Sequence, residues 1–414
     1  MNLLILNTFD SQGGAAIATF RLHSGLRSIG VSSHMLVQGK KTDDRSVIGP
    51  STKWQKVVAI LRLHLDSLLA ALYRKREKVL FSSAWIPENL FSKVEKFHPD
   101  IVHLFWVNSG FLKIETLRKF KQPIVWTLHD MWPFTGGCHY DDECGKFRQS
   151  CGDCPLLHSD KDSDLSRRIW TRKQAAWSEV PMVIVATSHW LADMARSSSL
   201  FKNQRIEVIP NGIDIERYKP IDKKTARSAY NLPQEKHLIL FSAFSATSDK
   251  RKGNQFLILA LEKIAREGWG AKTELIIIGA SEPENSPDLG MKVHYIRQLH
   301  DEISQVLLYS AADVVVAPSM QENLSNTVME SLACGTPVVA FDIGGMPDMI
   351  DHQISGYLAT PFESNDLADG IMWVLEDKNR RDMLSQRARQ TAEERYALQT
   401  VAHRYCTLYQ SILK

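Results

Sequence analysis

Short apolar runs rich in β-branched residues recur along the whole chain with amphipathic stretches between them, and this alternation restricts the fold more than any other feature. In the first half the runs are Leu3 to Leu6, Ile101 to Phe105, Ile124 to Thr127, Val183 to Thr187 and Ile206 to Ile209. In the second half they are Leu238 to Ser242, Leu275 to Ile278, Val293 to Ile296, Val314 to Ala317 and Val338 to Phe341. Most of these runs are apolar at consecutive positions, as parallel strands covered by helices on both faces must be. At 414 residues the chain exceeds what one hydrophobic core usually organises, so the strands are expected to divide between two α/β domains. The turn Ile209-Pro210-Asn211-Gly212-Ile213-Asp214 stops the last run of the first half. The expected domains are therefore 1–210 and 211–395, with a C-terminal helix at 396–414 returning to the first.

A net charge of +3 is too small to mark a nucleic-acid binder, and no nucleic-acid partner is expected. The N-terminus lacks a basic region and its apolar run is short, so no signal peptide is expected. Nowhere do about 18 uninterrupted apolar residues occur, which argues against a transmembrane helix. These features lead to an expected cytoplasmic location, in which the six cysteines are thiols or metal ligands before they are disulfides.

The loop after Val314 to Ala317 carries the densest chemistry. It reads Pro318-Ser319-Met320-Gln321-Glu322-Asn323-Leu324-Ser325 and opens a helix for which Ser325 is a plausible N-cap. Free backbone amides near Asn326 and Thr327, at the positive end of that helix, suit a diphosphate. Glu330, further along, can accept hydrogen bonds from two vicinal ribose hydroxyls, and Glu322 can reach the hydroxyls of a sugar beyond the phosphates. A second cluster, Asp249-Lys250-Arg251-Lys252-Gly253, follows the first strand of the second half and would oppose phosphate charge.

The two glutamates Glu322 and Glu330, the string Ala333 to Ala340, the pair Gly344-Gly345 and the linker Ile209 to Asp214 together resemble glycosyltransferase family 4. These are retaining enzymes of the GT-B fold, and the resemblance spans nearly the whole chain. It implies two doubly wound, Rossmann-like domains facing a central cleft. It also implies transfer of a sugar from a nucleoside-diphosphate sugar to an acceptor hydroxyl, polyprenyl-linked or saccharide, in cell-surface polysaccharide or glycolipid assembly, with no cofactor required for catalysis. Carried over by position, Lys252 is the diphosphate lysine and His129, in Thr127-Leu128-His129-Asp130, contacts the donor sugar. Glu322 is the sugar-side carboxylate, and Asn323, Leu324, Ser325, Asn326 and Glu330 bind the nucleotide sugar. Gly13 and Gly14 form the glycine loop that admits the donor phosphates. The chain departs from the family at Asp348, where a glutamate is usual, and at Ser242-Ala243-Phe244, where an arginine is common and Arg251 is the candidate substitute. His103 is read as structural. A nucleotide-sugar epimerase and a non-catalytic sugar-nucleotide-binding protein are the competing functions, and the intact set of Lys252, Glu322, Glu330 and His129 favours the transferase.

Two further features stand outside the resemblance. Cys138, Cys144, Cys151 and Cys154 crowd one loop, and Cys151-x-x-Cys154 has the spacing of a zinc knuckle, so a structural zinc is expected, with His139 as an alternative ligand. Ser51 to Phe81 carries seven lysines or arginines among apolar residues at helical spacing. Two arrangements satisfy it equally: a helix on an anionic membrane surface, placing the enzyme at the inner face of a membrane, or a helix packed on the first domain with a solvated basic face.

Overall fold

The structure, a computed structural model, describes residues 1–242, 250–282, 288–299 and 301–414. It divides into two compact units, one of Met1–Asn211 with Val401–Lys414 and one of Gly212–Thr400.

In the first unit, β1 (Asn2–Phe9), β2 (Ser32–Gly39), β3 (Val47–Ile48), β4 (Ile101–Leu104), β5 (Ile124–Leu128), β6 (Met182–Ala186) and β7 (Arg205–Val208) form a parallel sheet in the order β3-β2-β1-β4-β5-β6-β7. The apolar runs explain why it is buried twice over. Leu4, Leu6, Val102, Trp126 and Ile184 enter the core on one face. Their neighbours Leu3, Ile5, Ile101, Val125 and Val185 enter the core on the other, as a period of two requires. The C-terminal helix Leu398–Leu413 contributes Val401, Tyr405 and Tyr409 to that second core. His103, at the centre of β4, is fully buried with Nε2 at 2.8 Å from Thr127 Oγ1 and Nδ1 at 2.7 Å from Tyr409 Oη, so both ring nitrogens serve packing.

The second unit repeats the plan. Its strands β8 (His237–Ser242), β9 (Thr273–Ile278), β10 (Lys292–Ile296), β11 (Val314–Ala317), β12 (Val338–Phe341) and β13 (Gly356–Ala359) run parallel in the order β10-β9-β8-β11-β12-β13. Leu238, Leu240 and Val315 face one core, and Ile239, Phe241, Val314 and Val316 the other. In both sheets the order reverses beside the first strand, between β1 and β4 and between β8 and β11. Ligands of open parallel sheets bind beyond the carboxyl ends of strands at such a switch point.

Candidate active site

In the second unit the candidate residues leave the two switch-point strands. Lys252 lies on the turn Lys250–Lys252 after β8, and Glu322 on the loop after β11. Ala243 to Asp249, which includes part of the expected basic cluster and of the arginine-less segment, lies outside the described residues. The Lys252 ammonium and the Glu322 carboxylate form an ion pair of 2.7 Å. Both are partly exposed, so the pair stays open to a ligand.

Close backbone packing holds these loops in place. A Cβ at Gly253 would lie 1.7 Å from the Pro318 carbonyl oxygen, and one at Gly344 would lie 2.0 Å from that of Glu322. Both glycines have positive φ, of 72° and 54°, where side-chain-bearing residues are disfavoured. Met320 N donates to Arg251 O at 2.7 Å and Gly345 N to Glu322 O at 3.2 Å, so the Glu322 loop is clamped between its neighbours.

The same loop feeds the helix Asn326–Ala333, whose N-cap is Ser325 in extended geometry, its hydroxyl accepting from Val328 N. Asn323 and Leu324 are buried against this turn. Glu330 is 7% exposed and accepts a hydrogen bond of 3.1 Å from Tyr309 Oη. Burial, followed by the nearby Glu330 charge, pushes the Tyr309 phenol well above its usual range, so it remains the donor. Tyr309 is a supporting residue that the sequence pattern did not single out, because a tyrosine inside a helix (Glu302–Ala311) reads as core. Asp348 lies on the short helix Met346–Met349 that follows Gly344-Gly345.

In the first unit Gly13 (φ 87°) is the N-cap of the helix Gly14–Ser28 after β1, and nothing lies within 4 Å of where its Cβ would be. The backbone there is open to close approach. His129 follows β5 and stacks on Phe105 at 5.8 Å between ring centroids. Burial lowers its pKa to about 4, so the ring is neutral near pH 7. Asp130 is an organiser: one carboxylate oxygen accepts from His139 Nδ1 (2.6 Å) and Trp106 Nε1 (2.8 Å), the other from Trp132 N (2.9 Å). Burial pushes its carboxyl upward, but His139 and these donors outweigh that and hold it below the usual aspartate value.

The cysteine loop lies in the first unit. Cys138, Cys144, Cys151 and Cys154 are all free thiols. Among the described residues no group of three or more His, Cys, Asp or Glu side chains is arranged to hold a metal ion. His139, the alternative ligand, has both ring nitrogens engaged, by Asp130 and by Ser82 Oγ at 3.0 Å. The loop also supplies a core of its own. Trp132, Phe134 and Phe147 are buried, Phe134 meets Phe147 at 5.4 Å, and Lys173 Nζ sits 3.7 Å over the Trp132 ring while donating to the Trp132 and Thr135 carbonyls. Burial raises Cys138 well above the usual thiol value and Cys151 to about 12, which keeps both protonated near neutral pH.

Strand order and switch-point loops define the class: a protein of two doubly wound, Rossmann-like α/β units of the GT-B type. The sequence profile for Glycosyltransferase Family 4 matches residues 12–217, and that for Glycosyl transferases group 1 matches residues 222–391. The chain belongs to glycosyltransferase family 4. Among its relatives is a D-inositol 3-phosphate glycosyltransferase of Saccharomonospora viridis, 30% identical over 45% of this chain and 46% of that protein. Another is the N-acetyl-alpha-D-glucosaminyl L-malate synthase of Bacillus anthracis, 26% identical over 56% of this chain and 60% of that protein. The chain spans about half to three-fifths of the length of these relatives. Of solved structures, the sucrose-phosphate synthase of Thermosynechococcus elongatus has the same fold, with a TM-score of 0.72 at 20% identity over 100% of this chain and 99% of that one. The Anabaena protein Alr3699/HepE, solved with UDP-glucose, gives 0.64 at 18% identity over 99% and 100%.

Proposed function

We propose that the chain transfers a sugar from a nucleoside-diphosphate sugar to an acceptor hydroxyl with retention of configuration, in polysaccharide or glycolipid assembly at the inner face of a membrane. The observation that carries this reading is the convergence, at the β8/β11 switch point, of Lys252, Glu322 and the N-terminus of the helix that bears Glu330. In this reading the diphosphate rests on the amides at Asn326 and Thr327 and draws Lys252 from Glu322. Glu330, held by Tyr309, accepts the ribose hydroxyls, and the released Glu322 accepts hydroxyls of the sugar. Lys252 and Arg251 supply the positive charge that stabilises the diphosphate as it leaves, which suits a front-side displacement without a paired-carboxylate mechanism. In the first unit, Gly13-Gly14 and His129 occupy carboxyl strand ends suited to phosphate and sugar contacts. The Anabaena structure's UDP-glucose and the glycosyltransferase names among the relatives support this donor class.

The test is a binding screen of UDP-, GDP-, ADP- and TDP-sugars, followed by turnover with lipid-linked acceptors. Binding of one donor and formation of a glycoside with the donor's anomeric configuration is the expected result. Tight binding with neither transfer nor donor hydrolysis would favour the non-catalytic reading, and interconversion of donor sugars the epimerase.

A further inference from the structure

The helix Lys53–Asp66 begins with a capping box, in which the Thr52 hydroxyl accepts from Gln55 N and the Gln55 side chain returns to the Thr52 backbone. Its outward stripe, continued by the turn Leu68–Ala71, is apolar and exposed. Trp54 is 72% exposed and Leu72 77%, with Val57, Leu61, Leu65 and Leu68 between them at steps of three and four. Its inner side does not close on the sheet. A cavity of about 500 Å³ remains between this helix, the carboxyl half of β2 and the helix Leu90–Glu95. Leu36, Val58, Phe97 and Phe111 give it apolar walls. The volume falls within the roughly 300–1,000 Å³ of small-molecule pockets.

Charge is distributed unevenly around this space. Arg62, Lys93 and Lys96 line it against the single carboxylate of Glu88. Both oxygens of Glu88 are already engaged, by Leu90 N and Thr116 Oγ1. Among the described residues the Arg62 guanidinium donates to neutral oxygens, Gly110 O at 2.8 Å, Pro87 O at 2.6 Å and Gln38 Oε1 at 3.3 Å. Lys93 stands close enough to Arg62 that burial, and then that like charge, lower its pKa. A partly buried arginine with two exposed lysines at the edge of an apolar hollow matches a molecule with an anionic head and a hydrocarbon tail. The inner wall reaches Gln38 near the end of β2, the edge of the sheet at which such folds bind ligands.

We propose that this cavity takes the hydrocarbon chain of a lipid monophosphate, with the phosphate against Arg62, Lys93 and Lys96. The inference goes beyond the transfer reaction and holds whatever donor the second unit binds. Calorimetric titration of the full chain with dodecyl phosphate, below its micelle-forming concentration, tests it directly. Each buried methylene tightens binding by up to about fourfold, so dodecyl phosphate should bind at least tenfold more tightly than octyl phosphate. Dodecanol should bind more weakly than dodecyl phosphate, and inorganic phosphate should give no saturable heat. Ala59→Phe, which fills the cavity from the helix, should weaken binding at least tenfold, and Lys93→Gln about fivefold, with donor binding unchanged in both. Equal affinity for octyl and dodecyl phosphate, equal affinity for dodecanol, or a folded Ala59→Phe protein that binds as the parent does would each overturn the proposal. The ligand comparisons need no variant, so a folding failure of Ala59→Phe leaves the test intact.

Discussion

Lys252 and Glu322 neutralise one another at 2.7 Å, so a ligand that recruits the lysine must also release the carboxylate. Under the proposed function this couples donor binding to exposure of Glu322, and it separates the roles of the site residues. Under the proposed function Glu330→Ala removes a contact made equally in ground and transition states, and is expected to raise the Kd for nucleotide with little change in kcat. Lys252→Ala removes charge that matters most as the diphosphate departs, and is expected to lower kcat by about 10²-fold. Steady-state kinetics with direct nucleotide titration distinguish the two, and near-parental values for both would remove the site from this loop. Gly344 tests the clamp. At φ 54°, with a Cβ that would sit 2.0 Å from Glu322 O, alanine must push the Glu322 loop aside. Gly344→Ala is expected to cost up to about 10²-fold in turnover through displaced geometry, while circular dichroism remains that of the parent. Undiminished turnover would show that the Glu322 position is not critical.

At the level of elements, legibility in the sequence followed the apolar runs. Every strand flagged by a continuous apolar run is present, and β11 and β12 have the expected ends, because two-sided burial forces consecutive apolar residues. The sequence did not reveal β2, β3 and β13. β2 opens with Ser32-Ser33-His34, β3 has two residues, and β13 is Gly356-Tyr357-Leu358-Ala359, so none displays the run that marks a central strand. The Glu322 to Glu330 loop was legible because capping and glycine chemistry are local. The Tyr309 and Trp106 partners were not, since contacts between distant segments leave no spacing signal. The aromatic core of the cysteine loop was hidden for the same reason, since it draws on Trp126, Trp177 and Phe201 from elsewhere. For Lys53–Asp66 the two sequence readings were balanced, and the structure exposes the apolar stripe instead of burying it. Exposed apolar area of this extent beside Lys53, Lys56 and Arg74 to Lys78 favours an anionic bilayer. Flotation with phosphatidylserine-rich vesicles is expected to carry the protein at low salt, less at high salt, and far less for Leu61→Glu. Failure to float at low salt would return the helix to the role of a solvated cover.

The two units share a strand order but not a pattern of titratable burial, and this difference has a consequence for the whole molecule. In the first unit His23 is fully buried between Ser33 Oγ and Ser46 Oγ, each at 2.8 Å. Burial, then the neighbouring Arg27, lowers its pKa from the usual 6.5 to about 4. His129 is held at about 4 and His103 well below the usual histidine value, both chiefly by burial. Above pH 6.5 folded and unfolded chains are both neutral at these positions, and the stability is complete. Between 6.5 and 4 the unfolded chain takes up protons that the fold refuses, so stability falls as the pH falls. For His23 alone this amounts to roughly 2 kcal/mol at pH 5, from about 1.4 kcal/mol per pH unit below 6.5. Among the described residues of the second unit only the partly buried His237 is lowered in the same way, chiefly by burial, and Asp313, held below the usual aspartate value by Lys223 and Arg227 against the opposing effect of burial, loses its contribution only at lower pH. Acid is therefore expected to weaken the first unit before the second. Eight of the ten tryptophans lie in the first unit, so their emission follows it preferentially. The urea midpoint by tryptophan emission should drop between pH 7 and pH 5, and His23→Gln, which can bond the same two serines without titrating, should flatten that slope by about a third. Parallel slopes for parent and variant would place the acid sensitivity outside these histidines.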